Sequence, residues 1–163
     1  MGIRHCFQTG TVVPNLASTD KESAIRELIR RAPVFRELPD LDRFTEAVIL
    51  RERQQSTGLG HGVAVAHGRV GQAGRVLIAL GLCRHGIPYD APDGAPVHLL
   101  FVIASPPEMN LDYLRALSCL VRALREREVR EALLASVETL EIEHRIREAF
   151  SLCVGRLACV PAG

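Results

Sequence analysis

Three apolar runs determine the fold class of this chain. They cover residues 62–66, 76–82 and 97–104. Small and β-branched residues dominate the first run, and Val, Leu and Ile dominate the other two, which is typical of strands. The second and third runs lack the polar alternation of a half-exposed sheet, so both of their faces should be buried. A sheet buried on both faces needs helices on both sides.

Helical segments surround these runs. Residues 19–22, Thr-Asp-Lys-Glu, have the pattern of a capping box and predict a first helix. Asp40 is expected to cap a second helix, which delivers Arg51 from its last turn into a glycine-rich loop. Asn110 begins a third helix, and charged helical segments fill 126–152. No linker is long enough to separate two domains, so residues 1–163 are predicted to form a single α/β domain with a mixed β-sheet sandwiched by α-helices.

Composition favours a cytoplasmic protein without nucleic-acid or membrane partners. The 163 residues carry a formal net charge of +1, so no strong field attracts nucleic acid or anionic lipid. The amino terminus lacks the apolar core of a signal peptide, and no apolar run approaches the roughly 20 residues that cross a bilayer. Direct insertion into a membrane is therefore not expected.

The cysteines agree with a reducing compartment. Five are present, an odd number, and none forms a Cys-x-x-Cys pair. This pattern argues against a disulfide framework and against a tetrahedral zinc site. We therefore expect no metal site. The thiols are expected to be buried or incidental, and they belong to Cys6, Cys83, Cys119, Cys153 and Cys159.

Residues 51–68, RERQQSTGLGHGVAVAHG, hold the strongest candidate for chemistry. His67 stands at the exit of the first apolar run, which follows a segment with glycine at positions 58, 60 and 62. Glycine at every second position lets the backbone bend and lets a ligand approach closely. An imidazole beside such a loop is well placed to meet an anionic group. The glycine spacing fits neither a P-loop nor the Rossmann fingerprint, so ATP binding is not expected.

The same stretch resembles the active-site segment of phosphotransferase-system IIA domains of the fructose/mannitol/nitrogen-regulatory type. The family pattern is an Arg-Glu pair, then Ser-Thr-Gly-Ile-Gly, then Ile-Ala-Ile-Pro-His-Gly. Here it appears as Arg-Glu at 51–52, Ser-Thr-Gly-Leu-Gly at 56–60 and Val-Ala-Val-Ala-His-Gly at 63–68. A second block, at 86–98, is similar to the family's Gly-Ile-x-x-Asp-Ala-x-Asp-Gly-x-Pro-Val-His connection. The resemblance is strong over 48–124 and implies the mixed α/β fold of these domains.

Two positions depart from the family pattern, and both lie in the site. Ala66 replaces the proline that normally precedes the reactive histidine, which removes a fixed φ angle and restores an N–H group. Tyr113 replaces the second active-site histidine. A neutral phenol can donate one hydrogen bond to a phosphate, but it cannot share a charge as an imidazolium can.

The resemblance implies a phosphoryl relay. A phosphohistidine on the histidine-containing phosphocarrier protein would donate its phosphoryl group to neutral His67, and an unknown downstream protein would later accept it. Arg51, Ser56, Thr57 and Tyr113 are expected to converge on the phosphoryl group and to offset its charge. No metal and no cofactor are expected.

Two other hypotheses stay open from the sequence. The changes at Ala66 and Tyr113 favour a regulatory binding module that keeps the IIA fold without relaying phosphate. The glycine loop also fits a small-molecule sensor that cradles an anion. His98 is expected to be buried and hydrogen-bonded and to brace the site indirectly. His61 is expected to be an exposed loop histidine, with a contact to phosphate or a metal as the alternative.

Overall fold

Five strands form one mixed sheet in the computed structural model, which describes residues 3–71 and 73–158. Their bounds are β1 Val12–Val13, β2 Gly58–Gly60, β3 Val63–Arg69, β4 Leu77–Ile87 and β5 Val97–Ser105. The spatial order is β1, β4, β5, β3, β2. Within it, β3 is parallel to β5 and β1 is parallel to β4, whereas β4 pairs antiparallel with β5, and β2 pairs antiparallel with β3.

Helices cover both faces of this sheet, which confirms the predicted fold class. The α-helices are α1 Lys21–Arg31, α2 Leu41–Gln54, α3 Asn110–Arg125, α4 Arg127–Ala135 and α5 Thr139–Ala158. Short 3₁₀ turns lie at Ile3–His5, Pro33–Glu37 and Pro107–Met109. Alternate residues of β3 point to opposite sides, so Ala64 and Ala66 pack with α1 and α2, whereas Val63 and Val65 pack with α3, α4 and α5.

Most predicted helix starts agree with the structure. The Asp40 carboxylate accepts from the Arg43 N–H at 2.9 Å and caps α2, and α3 begins at Asn110. The capping box predicted at 19–22 would make Thr19 the cap of α1, and this prediction was wrong by one residue. Asp20 is the cap of α1 and accepts from the Ser23 N–H at 3.0 Å. An aspartate carboxylate is as good a cap as a threonine hydroxyl, so the local sequence allowed both choices.

Strand β4 extends five residues past the predicted run. After Cys83, the side chain of Arg84 is half-buried and that of His85 is exposed. The apolar pattern therefore stops at Cys83, although the strand continues to Ile87. The two-residue strand β1 and the short strand β2 were not predicted as strands. Each is too short to carry a periodic pattern.

The four cysteines that the structure describes are buried free thiols, as expected. Burial raises the pKa of Cys6 and of Cys83 to about 12, which keeps both thiols protonated and unreactive at neutral pH. Cys159 lies outside the described residues. Within 3–71 and 73–158, no helix is both long and apolar enough to cross a membrane.

Candidate phosphoryl-acceptor site

His67 lies near the carboxyl end of β3, opposite Ile103 of β5. The strand continues to Arg69, so its predicted end at His67 was two residues early. The next residue is glycine because α2 packs directly against the strand: a Cβ at Gly68 would lie 2.7 Å from Cγ2 of Val48. The His67 ring is half-buried rather than enclosed in the core. Parallel strands β3 and β5 end at the same edge, where ligands commonly bind in α/β sheets.

Strand alternation directs His67 and Arg69 toward α3, on the same side as Val65. Tyr113, in the second turn of α3, has its ring centroid 5.4 Å from that of His67, with an interplanar angle of 43°. The Arg69 guanidinium lies 5.2 Å from the centroid of the Tyr113 ring, on the scale of a cation–π contact. The predicted neighbour of His67 is therefore in place.

Arg69 was not predicted from the sequence, yet it lies beside Tyr113 and its charge acts on His67. Its Nη2 donates to Oδ1 of Asn110 at 2.5 Å, and its Nη1 lies 3.4 Å from Oγ of Ser105. These contacts tie the end of β3 to the start of α3. Strand periodicity could have revealed Arg69, because residues two apart on a strand share one face.

Arg51 approaches from the last turn of α2. It is half-buried, and its Nη1 donates to the carbonyl of Gln55 at 3.0 Å. Its positive charge acts on both rings, because it lowers the pKa of His67 and opposes the rise in the pKa of Tyr113. The charge of Arg69 acts in the same direction, so two guanidinium groups influence the histidine and the phenol.

The pKa of His67 is lowered from its ordinary value. Burial is the largest cause, followed by the charge of Arg51, while the Val65 backbone acts in the opposite direction. The imidazole is therefore neutral at pH 7, which is the form with a lone pair available for attack.

We predict that His67 titrates below pH 6.5, the ordinary value for histidine. Because its folded pKa is lowered, the neutral form persists to more acidic pH, and the capacity to attack phosphorus is lost only as pH falls through the lowered pKa. A two-dimensional NMR titration of the imidazole signals would measure this directly. A midpoint for His67 above 6.5 would contradict the described environment.

The hydroxyls of Ser56 and Thr57 are engaged within the protein. The Ser56 hydroxyl donates to the carbonyl of Tyr89 at 2.8 Å, and the Thr57 hydroxyl hydrogen-bonds to a carboxylate oxygen of Glu52. Their backbones do flank β3, since the Thr57 carbonyl accepts from the Val65 N–H at 3.2 Å. In this structure the two hydroxyls therefore fix the segment before β2 instead of offering free donors to a phosphoryl group.

The glycine segment forms a hairpin that leads away from His67. Gly60, His61 and Gly62 have φ angles of 90°, 54° and 76°, and His61–Gly62 form a two-residue turn between β2 and β3. The His61 N–H donates to Asp93 at 2.8 Å, which holds the turn. The glycine segment was expected to let an anion approach His67. That prediction is wrong, because Gly60 and Gly62 belong to a tight turn that lies away from this histidine.

His61 and His98 lie at the other end of the strand. His61 lies in the turn before Val63, the residue that is about 13 Å from His67 at the usual rise per strand residue. His98 lies five residues before Ile103, the partner of His67, and therefore about 16 Å away along the sheet. The ring of His98 is within 3.1 Å of the Cys83 carbonyl and half-buried, which agrees with its expected hydrogen-bonded role. At these distances neither ring supports His67 directly.

Comparison with known proteins identifies the family. The family described as "Phosphoenolpyruvate-dependent sugar phosphotransferase system, EIIA 2" matches residues 5–149. The chain belongs to this family. The resemblance drawn from the motifs at 51–68 and 86–98 is thereby confirmed.

Relatives of this EIIA 2 chain include sugar-specific and nitrogen-regulatory proteins. The fructose-specific EIIABC component of Bacillus subtilis is 35% identical over 134 residues, which are 82% of this chain and only 21% of that protein. The fructose-specific EIIA component of Haloferax volcanii is 32% identical over 128 residues, covering 78% and 83% of the two chains. A nitrogen regulatory protein of Pseudomonas aeruginosa is 32% identical over 139 residues, covering 84% and 88%.

Solved structures share the fold. The nitrogen regulatory protein IIA-Ntr of Neisseria meningitidis superposes with a TM-score of 0.78 at 26% identity, covering 91% of this chain and 98% of that one. The IIA mannitol protein of Escherichia coli gives a TM-score of 0.71 at 19% identity over 85% and 97% of the chains, a likeness of fold alone.

Proposed function

We propose that this EIIA 2 protein relays phosphate through His67. The half-buried imidazole of His67, kept neutral by burial and by the charges of Arg51 and Arg69, is the observation that carries the proposal. A neutral ring can attack phosphorus, and fixed guanidinium groups can offset the charge that arrives with the phosphoryl group. Arg51 and Arg69 are the two cations placed for this task.

The transfer exchanges one N–P bond for another. A ring nitrogen of His67 attacks the phosphorus with its lone pair while the bond between phosphorus and the carrier's imidazole breaks. That electron pair returns to the carrier's ring, and the proton on the other nitrogen of each ring stays in place. No metal, cofactor or external base enters this step. Positioning and electrostatic stabilisation supply most of the catalysis in such transfers.

Tyr113 is proposed to donate one hydrogen bond to the bound phosphoryl group. Burial raises the pKa of its hydroxyl, so the phenol is neutral and keeps its proton at physiological pH. The contact between its ring and the Arg69 guanidinium holds the side chain beside His67. This arrangement gives Tyr113 a defined role in place of the family's second histidine.

The proposed donor is the histidine-containing phosphocarrier protein, and the acceptor is a downstream protein in the cytoplasm. The relatives named fructose-specific and those named nitrogen regulatory are similar to this chain at comparable identity. The acceptor is therefore proposed to be either a sugar-specific component of the phosphotransferase system or a regulatory target protein.

Reversal of the transfer tests the relay. The protein would be labelled by phosphoenolpyruvate, enzyme I and the phosphocarrier protein, purified, and mixed with unphosphorylated carrier. Because similar N–P bonds lie on both sides of the reaction, we expect the phosphoryl group to return readily to the carrier. Failure of a folded protein to accept phosphate from an active carrier would instead favour the regulatory binding module.

We predict that Tyr113→His increases the rate of phosphoryl transfer about tenfold, which corresponds to about 1.4 kcal/mol. An imidazolium can share its charge with the phosphoryl oxygens, whereas the phenol offers a single neutral hydrogen bond. The charges of Arg51 and Arg69 disfavour an imidazolium in the empty site, but the incoming phosphoryl group reverses that balance.

Rapid-quench kinetics would compare this variant with the wild type and with Tyr113→Phe. The phenylalanine variant keeps the ring and loses only the hydroxyl, so its rate should fall below that of the wild type. Equal rates for all three proteins would contradict any role for this side chain in transfer.

A further inference from the structure

A buried ion pair lies behind the phosphoryl-acceptor site. Glu52 follows Arg51 in the last turn of α2, and its side chain is 1% exposed. The ammonium group of Lys21, at the first position of α1, lies 3.4 Å from its Oε1. The pair therefore joins the two helices on one face of the sheet.

Glu52 also holds the segment that leads into β2. Its carboxylate accepts from the Thr57 N–H at 2.9 Å and hydrogen-bonds to the Thr57 hydroxyl. The carbonyl of Thr57 in turn accepts from the Val65 N–H, two residues before His67. A continuous set of hydrogen bonds thus runs from the ion pair to the strand that carries His67.

Lys21 connects the same segment to the 86–96 connection. Its ammonium donates to Oδ2 of Asp90 at 3.2 Å and lies 5.1 Å from the centroid of the Tyr89 ring. The Tyr89 hydroxyl is 3.3 Å from Oγ1 of Thr57, which closes the network. Burial, followed by the negative charge of Glu52, raises the pKa of Tyr89, so this phenol stays neutral.

These contacts fix the side chains of Lys21, Glu52 and Thr57, because each side chain is held by at least one of the others. A buried carboxylate is costly to desolvate, and removing its cation leaves an uncompensated charge. Without its cation the Glu52 carboxylate would no longer be held in place, so Thr57 would lose the fixed acceptor for its N–H and hydroxyl groups.

The negative charge of Glu52 also acts on the imidazole of His67. It favours the protonated form and so offsets part of the overall fall in the pKa of this histidine.

We propose that Lys21 and Glu52 are positioning residues for phosphoryl transfer, which fix Thr57 and the edge of β3 so that His67 and Arg51 face the incoming phosphoryl group. This inference rests on the relay function proposed above. Neither side chain contacts the reacting atoms, so both act through Thr57, Val65 and the charge of Glu52.

Substitution of Lys21 tests the mechanical part of the inference. We expect Lys21→Met to lower the rate of phosphorylation by the carrier about tenfold to a hundredfold, because a small displacement of reacting groups has effects of that size. Lys21→Arg keeps a cation that compensates the Glu52 charge and should stay within about threefold of the wild-type rate. Circular dichroism would confirm that each variant is folded.

Arg53→Met provides a matched control from the same helix end. Arg53 forms an exposed ion pair with Glu22, so its loss removes a cation without touching the buried network. Its phosphorylation rate should equal that of the wild type. A wild-type rate for Lys21→Met would overturn the inference alone, whereas an unlabelled wild-type protein would overturn the relay and this inference with it.

The NMR titration of His67 tests the electrostatic part without any phosphoryl transfer. Glu52→Gln keeps the shape of the side chain and removes its negative charge, so we expect the pKa of His67 to fall further below that of the wild type. Arg53→Met should leave the titration unchanged. An identical pKa of His67 in the wild type and in Glu52→Gln would overturn this part.

Discussion

Replacing His67 with alanine is expected to abolish phosphoryl acceptance completely, because the variant lacks the nucleophile that forms the new N–P bond. Wild-type protein incubated with the phosphorylated carrier should gain about 80 Da, the mass of one phosphoryl group. The gain should disappear after mild acid treatment, to which phosphohistidine is sensitive. Intact mass spectrometry would follow both proteins under identical conditions.

The control for this substitution is His144→Ala. His144 is exposed on α5, remote in sequence from the 51–68 segment, so its removal should leave the label unchanged. A His67→Gln variant, which keeps most of the side-chain volume, would show that loss of labelling does not result from a cavity beside Tyr113. Labelling of His67→Ala to the wild-type level would contradict the assignment of the acceptor.

Replacing Arg51 with glutamine is expected to slow phosphorylation of His67 about a hundredfold, the usual effect of losing one charged donor from a transferring group. The same change should raise the pKa of His67, because a nearby positive charge that disfavours the imidazolium is removed. The two effects have different origins, so kinetics and an NMR titration would measure them separately.

Arg53→Gln is the appropriate comparison, since Arg53 stands two residues away and pairs with Glu22 on the surface. It should change neither the rate nor the pKa of His67. A normal rate for Arg51→Gln would mean that the guanidinium does not contact the phosphoryl group, and an unchanged pKa would mean that its charge does not reach the imidazole.

The arrangement of strands and helices was predictable because burial leaves a strong mark on the sequence. The apolar runs at 76–82 and 97–104 correspond to the interior strands β4 and β5, which are covered by helices on both faces. Asp40 marked the start of α2 correctly because its cap is a local interaction. The start of α3 at Asn110 was also predicted, although no side chain caps that helix. The short strands β1 and β2 form only through pairing with β4 and β3, which no local pattern reveals.

The position of Tyr113 follows from the strand and helix pattern. Tyr113 lies beside His67 as expected, because the end of β3 and the start of α3 meet at one edge of the sheet. Arg69 was missed although it shares a face with His67. The apolar run stops before His67, so the sequence gives no sign that the strand alternation continues two residues further to Arg69.

The partner of Ser56 could not be predicted from the local sequence, because Tyr89 is more than thirty residues away along the chain. Only the tertiary packing of the 86–96 connection against the segment before β2 brings the Tyr89 carbonyl to this hydroxyl. The partner of Thr57 is closer, since buried Glu52 lies five residues earlier in the last turn of α2. Both hydroxyls look like free phosphate donors in the motif, which does not reveal either partner.

Mapping the phosphoryl group by mass spectrometry at neutral or alkaline pH tests the central claim most directly. The chain contains six histidines, and His67 is the one that the structure places against Tyr113, with the charges of Arg51 and Arg69 acting on its ring. We predict a single modified peptide that carries the phosphoryl group on His67 after reaction with the phosphorylated carrier. A phosphoryl group on another histidine, or none on a folded protein with an active carrier, would contradict the account.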